Sequence, residues 1–236
     1  MPVSRQMPTG GDLPRATLQA LLAGPRPGTN LVSPIPHGVE IRSIKVTDRV
    51  AYIDLSVAFR DGPDMQAAET AIVETLTELP GITSVVLSIE GTPLGEAQKR
   101  TPLLYYASAN GLVATPSGAT DARSSLSAYL SGPSNPELTG LPADVRVLNY
   151  DYNPAEGLLS LNFKYTPSLH ELALEKPERI RLALLGLITT LTEFPEIRGV
   201  QLDFEGHTRL GLGQCSDLLR TPQPRPDLLN DERLIQ

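Results

Sequence analysis

The chain has 236 residues, a hydrophobic fraction of 40% and a formal net charge of −7 at pH 7. This length allows one or two domains with packed cores, and no apolar run reaches the ~18 residues that a membrane span needs. The acidic balance argues against a nucleic-acid-binding protein, because such proteins need a concentrated basic surface.

An internal repeat decides the number of modules. The stretch TLTELPGITSVVLSIEG at residues 75–91 returns as TLTEFPEIRGVQLDFEG at residues 190–206, an offset of 115 (190 minus 75). In each copy an apolar helix stops at a proline, a short turn follows, and a strand ends in Glu-Gly. The repeat predicts two copies of one module of roughly 100 residues.

Each module begins with a short helix. Asp12 is the expected N-cap of the first helix and Gly24-Pro25 its stop signal. In the second copy we expect Thr120 as the cap and Gly132-Pro133 as the stop. The core-facing residues have helical spacing in both copies: Leu18, Leu21 and Leu22, then Leu126, Tyr129 and Leu130.

The next strand changes its apolar phase in the same way in both copies. Val39 and Ile41 alternate, and the apolar positions then slip by one to Ile44 and Val46. The second copy repeats the slip, from Val145 and Val147 to Tyr150 and Tyr152. A slip that occurs twice predicts a β-bulge.

A second strand, a long helix and a closing strand complete each module. Alternating apolar residues predict the second strand from Ala51 to Phe59 and from Leu159 to Tyr165, after turns at Thr47–Arg49 and Asn153–Gly157. A helical stripe then ends before Pro80 or Pro195: Met65, Ala68, Ile72, Leu76 and Leu79, matched by Ile180, Ala183, Leu187, Leu191 and Phe194. The closing strands place Val85, Leu87 and Ile89, or Val200, Leu202 and Phe204, against that helix.

The second copy has one more strand in front, LLYYAS at Leu103–Ser108, with Asn110-Gly111 as a hairpin turn to Leu112–Ala114. Its counterpart in the first copy would lie upstream of residue 1. We therefore expect the native chain to begin before Met1 and the first module here to lack its opening strand.

Together these elements predict an α+β fold of two tandem β-α-β-β-α-β modules, each a small sheet with two helices on one face. The expected boundaries are residues 1–95 for the first module, 103–213 for the second and 214–236 for a C-terminal tail.

This pattern resembles the GerMN domain of bacterial sporulation and germination proteins, which occurs in tandem. The match is carried by PVSRQMP, LQALLAGP with LSAYLSGP, SPIPHGVEI and VAYIDLSVAF, the two TLTE stretches, and the ending LGLGQCSDLLRTPQPRPDLLNDERLI. The resemblance implies a fold similar to ring-building motifs and a non-enzymatic module. It also implies a lipoprotein of the cell envelope that is anchored to a membrane and faces away from the cytoplasm. No acylated-cysteine signal is present, because Cys215 lies near the wrong end.

Few residues suggest chemistry. His37, His170 and His207 form no zinc pattern, and we expect them to be solvated loop residues. Asp203 and Glu205 point to one side of the last strand, where a polar sheet face explains them better than an acid–base pair. Cys215 has no histidine on a recognisable catalytic frame, and Gly211–Gly213 lacks the spacing of a phosphate-binding loop. We predict no catalytic, cofactor-binding or metal-binding residue.

The same element order occurs in RNA-recognition modules, which need aromatic residues on the open sheet face. Tyr52 is the only aromatic residue on that face of the central strand, with Tyr150 and Tyr152 on the neighbouring strand of the second copy alone. We therefore expect no nucleic-acid partner.

What remains is protein–protein assembly in an envelope complex, with open sheet edges contacting helix faces. The first half of each long helix supplies charged candidates for such contacts: Asp64, Glu69, Glu178, Arg179 and Arg181. The alternative is a binding module for cell-wall glycan or another small ligand.

Overall fold

The structure is a computed structural model that describes residues 3–5, 11–205, 215–227 and 229–230. The chain divides into two compact units with a boundary between Thr101 and Pro102. The first unit contains residues 5–101 of this part of the chain. The second contains residues 102–230, joined by Val3 and Ser4.

The first unit follows the order helix, two strands, helix, strand. Its elements are α1 (Leu13–Leu22), β1 (Ile41–Thr47), β2 (Val50–Leu55), a short 3-10 helix (Val57–Asp61), α2 (Met65–Thr77), β3 (Ser84–Ile89), β4 (Thr92–Pro93) and β5 (Gln98–Lys99).

The second unit repeats that order behind a hairpin. Its elements are β6 (Leu103–Ser108), β7 (Gly111–Pro116), α3 (Ala122–Leu130), β8 (Val147–Asn153), β9 (Leu158–Phe163), α4 (Pro167–Glu175), α5 (Pro177–Leu191), β10 (Gly199–Phe204) and α6 (Ser216–Arg220).

Both sheets have the same core topology, and the mixed α+β fold is confirmed. β1 pairs antiparallel with β2, which pairs parallel with β3. In the second unit β8, β9 and β10 repeat this arrangement. Each parallel pair is joined by a crossover through the long helix, which packs its apolar stripe on the sheet.

The two predicted bulges are confirmed. The register of β1 against β2 shifts between Ile41 and Ser43, and that of β8 against β9 shifts between Val147 and Asn149. Arg42 and Leu148 are therefore the extra residues. The bulge lets apolar residues on both sides of it face the helices, which explains the slip in the sequence pattern.

The long helices end slightly earlier than predicted, since α2 ends at Thr77 and α5 at Leu191, before Leu79 and Phe194 of the predicted stripes. One predicted cap is also different. The carboxylate of Asp12 accepts a hydrogen bond from the N–H of Arg15, as expected for α1. The expectation that Thr120 caps α3 was wrong, because Asp121 is the N-cap. Its carboxylate accepts from the N–H of Ser124, while the Ser124 hydroxyl accepts from the N–H of Asp121. This reciprocal capping box gives hydrogen-bond partners to two backbone N–H groups, those of Ser124 and Asp121.

The second strand of each module ends earlier than predicted. β2 ends at Leu55, and Val57 and Phe59 lie in the short 3-10 helix, with Phe59 fully buried. In the second unit β9 ends at Phe163, and Tyr165 lies beyond the strand. Alternating apolar residues continued past the strand because one tight helical turn also returns a side chain to the core.

The sequence analysis missed helix α4. Thr166 is its N-cap and Pro167 its first residue, while Leu169 and Ala173 are buried one turn apart. His170 therefore lies on a helix, and its predicted position in a loop was wrong. The Thr-Pro pair followed by that spacing is a helix-start signal that could have identified α4.

Each unit has its own hydrophobic core. In the first, Leu18 of α1 and Ile72 and Leu76 of α2 pack on the inner faces of β2 and β3. In the second, α3, α4 and α5 contribute to one larger cluster with β9 and β10. The buried residues of the two clusters belong to separate stretches of the chain.

The hairpin of β6 and β7 is confirmed, and it forms a two-stranded sheet of its own. It packs on the side of α5 where Gly186 lies, since a Cβ at Gly186 would be 2.1 Å from the carbonyl oxygen of Tyr105. The N–H of Tyr105 donates to the Thr190 hydroxyl at 2.9 Å. Helix α5 is therefore buried on its sheet-facing and hairpin-facing sides.

Candidate interaction surface

Among the described strands, β1 and β8 are the terminal strands of the two larger sheets. The opposite edges are covered. β4 and β5 pair with β3, and Gln223 exchanges two backbone hydrogen bonds of 2.8 Å with Val200 of β10. An open edge can pair with a strand of another chain, although a bulge and charged residues such as Lys45 weaken that tendency.

A polar cluster surrounds the bulge of the first unit. The Arg42 guanidinium contacts the carboxylates of Asp54, at 3.2 Å, and of Glu90. The other oxygen of Asp54 accepts from the N–H of Gly91 at 2.8 Å, and Glu90 also accepts from the N–H of Val57. These contacts hold Glu90 in a left-handed conformation with φ of 50°, which is uncommon for a non-glycine residue.

The second unit keeps the backbone of this cluster and changes its side chains. Glu205 has a φ of 56°, matching Glu90, and its N–H donates to the carbonyl of Phe163. Leu148 replaces the arginine at the bulge and is 54% exposed, and Asn162 replaces Asp54. The shared glutamate therefore marks a turn that both modules make, while the surface chemistry of the two bulges differs.

Asp203 and Glu205, the two carboxylates singled out in the sequence, lie in different surroundings. The Oδ1 atom of Asp203 is buried without a hydrogen-bond partner among those residues, and desolvation raises the pKa of this carboxyl. Glu205 is exposed.

The repeated Thr-Leu-Thr-Glu sequence has a structural role that the sequence analysis missed. Its glutamate forms an ion pair with an arginine from the segment that follows each module: Glu78 with Arg100 at 2.6 Å, and Glu193 with Arg225 at 2.7 Å. Glu193 is fully buried and also accepts from the Tyr105 hydroxyl at 3.0 Å. The second threonine of the motif, Thr77 or Thr192, bonds back to a helix carbonyl.

The charged candidates on the long helices have local partners where contacts are described. Asp64 caps α2 through the N–H of Ala67, and Glu69 accepts from the Gln98 side chain at 2.9 Å. Arg179 donates to the hydroxyl of Thr139. Arg181 forms two hydrogen bonds with Asp217, at 2.7 and 2.9 Å, which lower the pKa of that carboxyl. Glu178 lies exposed in the first turn of α5.

Of the histidines and the cysteine, His37, His170 and Cys215 lie among the described residues. His37 is exposed in a turn, as expected, and His170 on α4 shares a 2.8 Å hydrogen bond with the Tyr165 hydroxyl. Cys215 is fully buried, and burial raises its pKa to about 11, which leaves it a protonated thiol at neutral pH. His207 and Gly211–Gly213 lie outside the described residues.

The aromatic residues do not form a base-stacking face. Tyr52 is 47% exposed on the open face of the first sheet. Tyr150 and Tyr152 pair with Leu161 and Leu159 and pack against the core, so they lie on the helix-covered face of the second sheet. That the protein has no nucleic-acid partner stays a prediction. An RNA-recognition module is less well supported than the sequence suggested, because Tyr150 and Tyr152 are not on the open face.

An open groove of about 400 Å³ lies between α1 and the start of β1. One wall is the side of α1 that carries Arg15, Gln19 and Leu22. The other wall is the backbone and side chains of residues 39–41, immediately before the bulge. The floor is aliphatic, and Arg15 and Glu40 provide one charge of each sign.

The described residues contain neither a candidate membrane span nor a candidate metal-binding cluster. None of the helices resolved there combines the length and apolarity that crossing a membrane requires. No group of three or more histidine, cysteine, aspartate or glutamate side chains in the same residues is arranged to hold a metal ion.

Comparisons with known proteins agree with the tandem arrangement. The family described as "Germane: Sporulation and spore germination" matches residues 1–95 and 103–210. The fold is similar to the tandem GerMN domains of the sporulation protein GerM from Bacillus subtilis, with 20% identity, a TM-score of 0.72, and coverage of 97% of this chain and 94% of that chain. No curated protein matches the sequence.

Two further solved structures match in part. The first GerMN domain of the same Bacillus subtilis protein has 25% identity and a TM-score of 0.36, covering 54% of this chain and 95% of that chain. A putative lipoprotein from Clostridium perfringens has 22% identity and a TM-score of 0.33, covering 39% of this chain and 62% of that chain.

Proposed function

This chain belongs to the Germane family of sporulation and spore germination, and on that premise we propose that it is a non-enzymatic structural protein of a bacterial envelope assembly. In this proposal the two modules lie outside the cytoplasm and bind other proteins. A segment outside these 236 residues anchors the protein to a membrane. The observation that carries the proposal is the family match over both modules.

The side chains support a scaffold more than a reaction centre. The polar cluster of Arg42, Asp54 and Glu90 is occupied with its own ion pairs and with backbone N–H groups. Cys215 is buried with a raised pKa, so it is not a ready nucleophile. The edges of β1 and β8 are the surfaces that these sheets leave for a partner.

Site-specific photo-crosslinking in sporulating cells tests the proposal. A crosslinking residue at Lys45 on β1 or Asp151 on β8, both exposed, should give a defined product with another protein. Glu96, exposed in the segment that follows β3, is the matched control and should give little product. A strain that lacks the gene should form fewer heat-resistant spores. Normal spore yield together with no crosslink at either edge would contradict the proposal.

A small ligand is the second candidate, and the groove beside α1 is the observation that favours it. A cell-wall glycan fits this groove less well, since no aromatic side chain lines it. Thermal-shift measurement with peptidoglycan fragments separates the candidates. A saturable rise of the melting temperature that Gln19→Ala abolishes would favour ligand binding over assembly.

A further inference from the structure

The groove of the first unit has an internal counterpart in the second unit. Residues 108 positions apart match along α1 and α3, so that Arg15 corresponds to Arg123. The strands match through their pairing. Ile44 pairs with Ile53, and Tyr150 pairs with Leu161, which lies 108 residues after Ile53 (161 minus 53). Tyr150 therefore stands where the first unit has Ile44.

In the second unit an aromatic ring fills the space between helix and strand. The guanidinium carbon of Arg123 lies 4.1 Å from the centroid of the Tyr150 ring, a cation–π contact. Val145, two residues before β8, is 1% exposed. The corresponding residue of the first unit, Val39, is only half-buried and lines the groove.

The first unit has the matching arginine, Arg15, but Ile44 in place of the aromatic Tyr150. Ile44 packs against the core of the first unit and lies outside the groove lining. A tyrosine at this position would place its ring against Arg15, at the edge of the groove. Arg15 lies at 3.7 Å from Asp12, a residue on its own helix turn, and remains part of the groove wall. The exposed Glu40 at the rim replaces Arg146 of the second unit, which changes the sign of the charge there.

We propose that the groove between α1 and β1 binds an aromatic side chain of a partner protein, with Arg15 over the ring as Arg123 lies over Tyr150. The groove lies between α1 and residues 39–41, which lead into the edge strand β1. Glu40 favours a basic residue next to the aromatic one. Only the identity of the partner rests on the proposed assembly role.

The test is a titration of the isotope-labelled protein, followed by amide chemical shifts. The probe is the N-acetylated, C-amidated peptide Lys-Tyr-Gly, and Lys-Ala-Gly is its control. The tyrosine peptide should shift the amides of Arg15, Gln19 and Val39 saturably, with a dissociation constant on the order of 1 mM for so small a contact. Equal affinities of the two peptides, or shifts that map to another surface, would overturn the proposal.

Copying the tyrosine of the second unit into the first unit gives a variant in which the groove should be blocked. Ile44→Tyr copies the second unit and should weaken binding at least about tenfold, because the new ring occupies the site. Ile44→Leu is the control and should bind as the native protein does. If Ile44→Tyr does not fold, Arg15→Ala on the helix surface replaces it, with an expected loss of about fivefold. Native affinity in a folded blocking variant overturns the proposal.

This experiment is independent of spore formation. A groove that fails to bind the peptide leaves the crosslinking and spore-yield results unaffected. If the groove binds the tyrosine peptide but the strain that lacks the gene has no spore defect, the binding site stands and the assembly role is excluded.

Discussion

Gly186 is the single residue on which the position of the hairpin depends most directly. Gly186→Ala gains helix propensity of about 1 kcal/mol. It also places a Cβ 2.1 Å from the Tyr105 carbonyl oxygen. Since that oxygen is backbone, β6 must move, and we expect a net loss of roughly 1–3 kcal/mol in the free energy of unfolding.

Urea unfolding followed by circular dichroism measures this effect. Gly199→Ala is the matched control, because its Cβ would meet its nearest neighbour at an ordinary 3.6 Å. An unchanged or higher midpoint for Gly186→Ala would show that the hairpin does not approach α5 this closely.

Asp203 gives a prediction with a defined pH dependence. Its pKa is raised in the folded state, so ionisation favours the unfolded chain. The resulting destabilisation is absent below the unfolded pKa of about 4, develops as the pH rises toward the folded pKa, and stays constant above it. Asp203→Asn should therefore raise stability at pH 7, by up to about 1 kcal/mol.

Melting temperatures of the native protein and the Asp203→Asn variant at pH 3 and pH 7 check this. The difference should be present at pH 7 and nearly vanish at pH 3. A variant that is less stable at pH 7 would mean that the ionised carboxylate has a stabilising partner.

The bulges in β1 and β8 were predictable because each shifts the alternation of apolar residues by one position. The residues that follow a bulge change face, and the same change at Ile41–Ile44 and Val147–Tyr150 made it visible. The cap at Asp121 and helix α4 were harder. Helix α4 buries only Leu169 and Ala173, and its counterpart in the first unit is a short 3-10 helix, so the repeat gave no second copy of its pattern. For α3, two adjacent capping residues compete for one position.

Deleting Leu148 should remove the bulge of β8 and turn the residues before it to the opposite face. Val145 and Val147 would then leave the core, and we expect the second unit to lose cooperative unfolding. Leu148→Ser, at a side chain that is 54% exposed, should change stability by less than about 0.5 kcal/mol. Hydrogen exchange of the β9 amides measures both variants. Retained protection in the deletion variant would show that the strand slips without loss of the core.

The place of the hairpin on α5 could not be derived from periodicity, which identifies elements but not their partners. One signal was available. Leu184 extends the apolar surface of α5 beyond its stripe, where α2 has the charged Glu69. Similarly, the partners of the Thr-Leu-Thr-Glu glutamates lie 22 and 32 residues downstream, beyond the reach of local patterns.

The first unit is built differently at the surface that corresponds to the hairpin site. Ala71 stands where Gly186 lies, whereas Thr75 keeps the hydroxyl with which Thr190 accepts from Tyr105. An opening strand on α2, as the sequence analysis expects, would have to lie further from the helix axis than β6 lies from α5. That expectation stays a prediction.

For the molecule as a whole, two cores with no shared residue predict two separable units. A protein of residues 102–236 should fold alone and unfold cooperatively, because its core cluster contains only residues of that range. Far-ultraviolet circular dichroism with thermal unfolding measures this, and the intact chain is the reference. A fragment without a cooperative transition would show that the second unit needs the residues before Pro102.

The arginine–glutamate pairs have a consequence for the order of events on the ribosome. Arg100, the partner of Glu78, is synthesised before every residue from Pro102 on, so the first unit has both members of its ion pair long before the second unit is complete. The second unit is complete only after Arg225 and Asn230 have been synthesised. The Asn230 side chain exchanges two hydrogen bonds of 2.8 Å with the backbone of Leu112. Synthesis at ~5–20 residues per second gives the first unit several seconds to fold alone. Because the two modules share one sheet topology, this order of synthesis should limit the exchange of strands between them while both are incomplete.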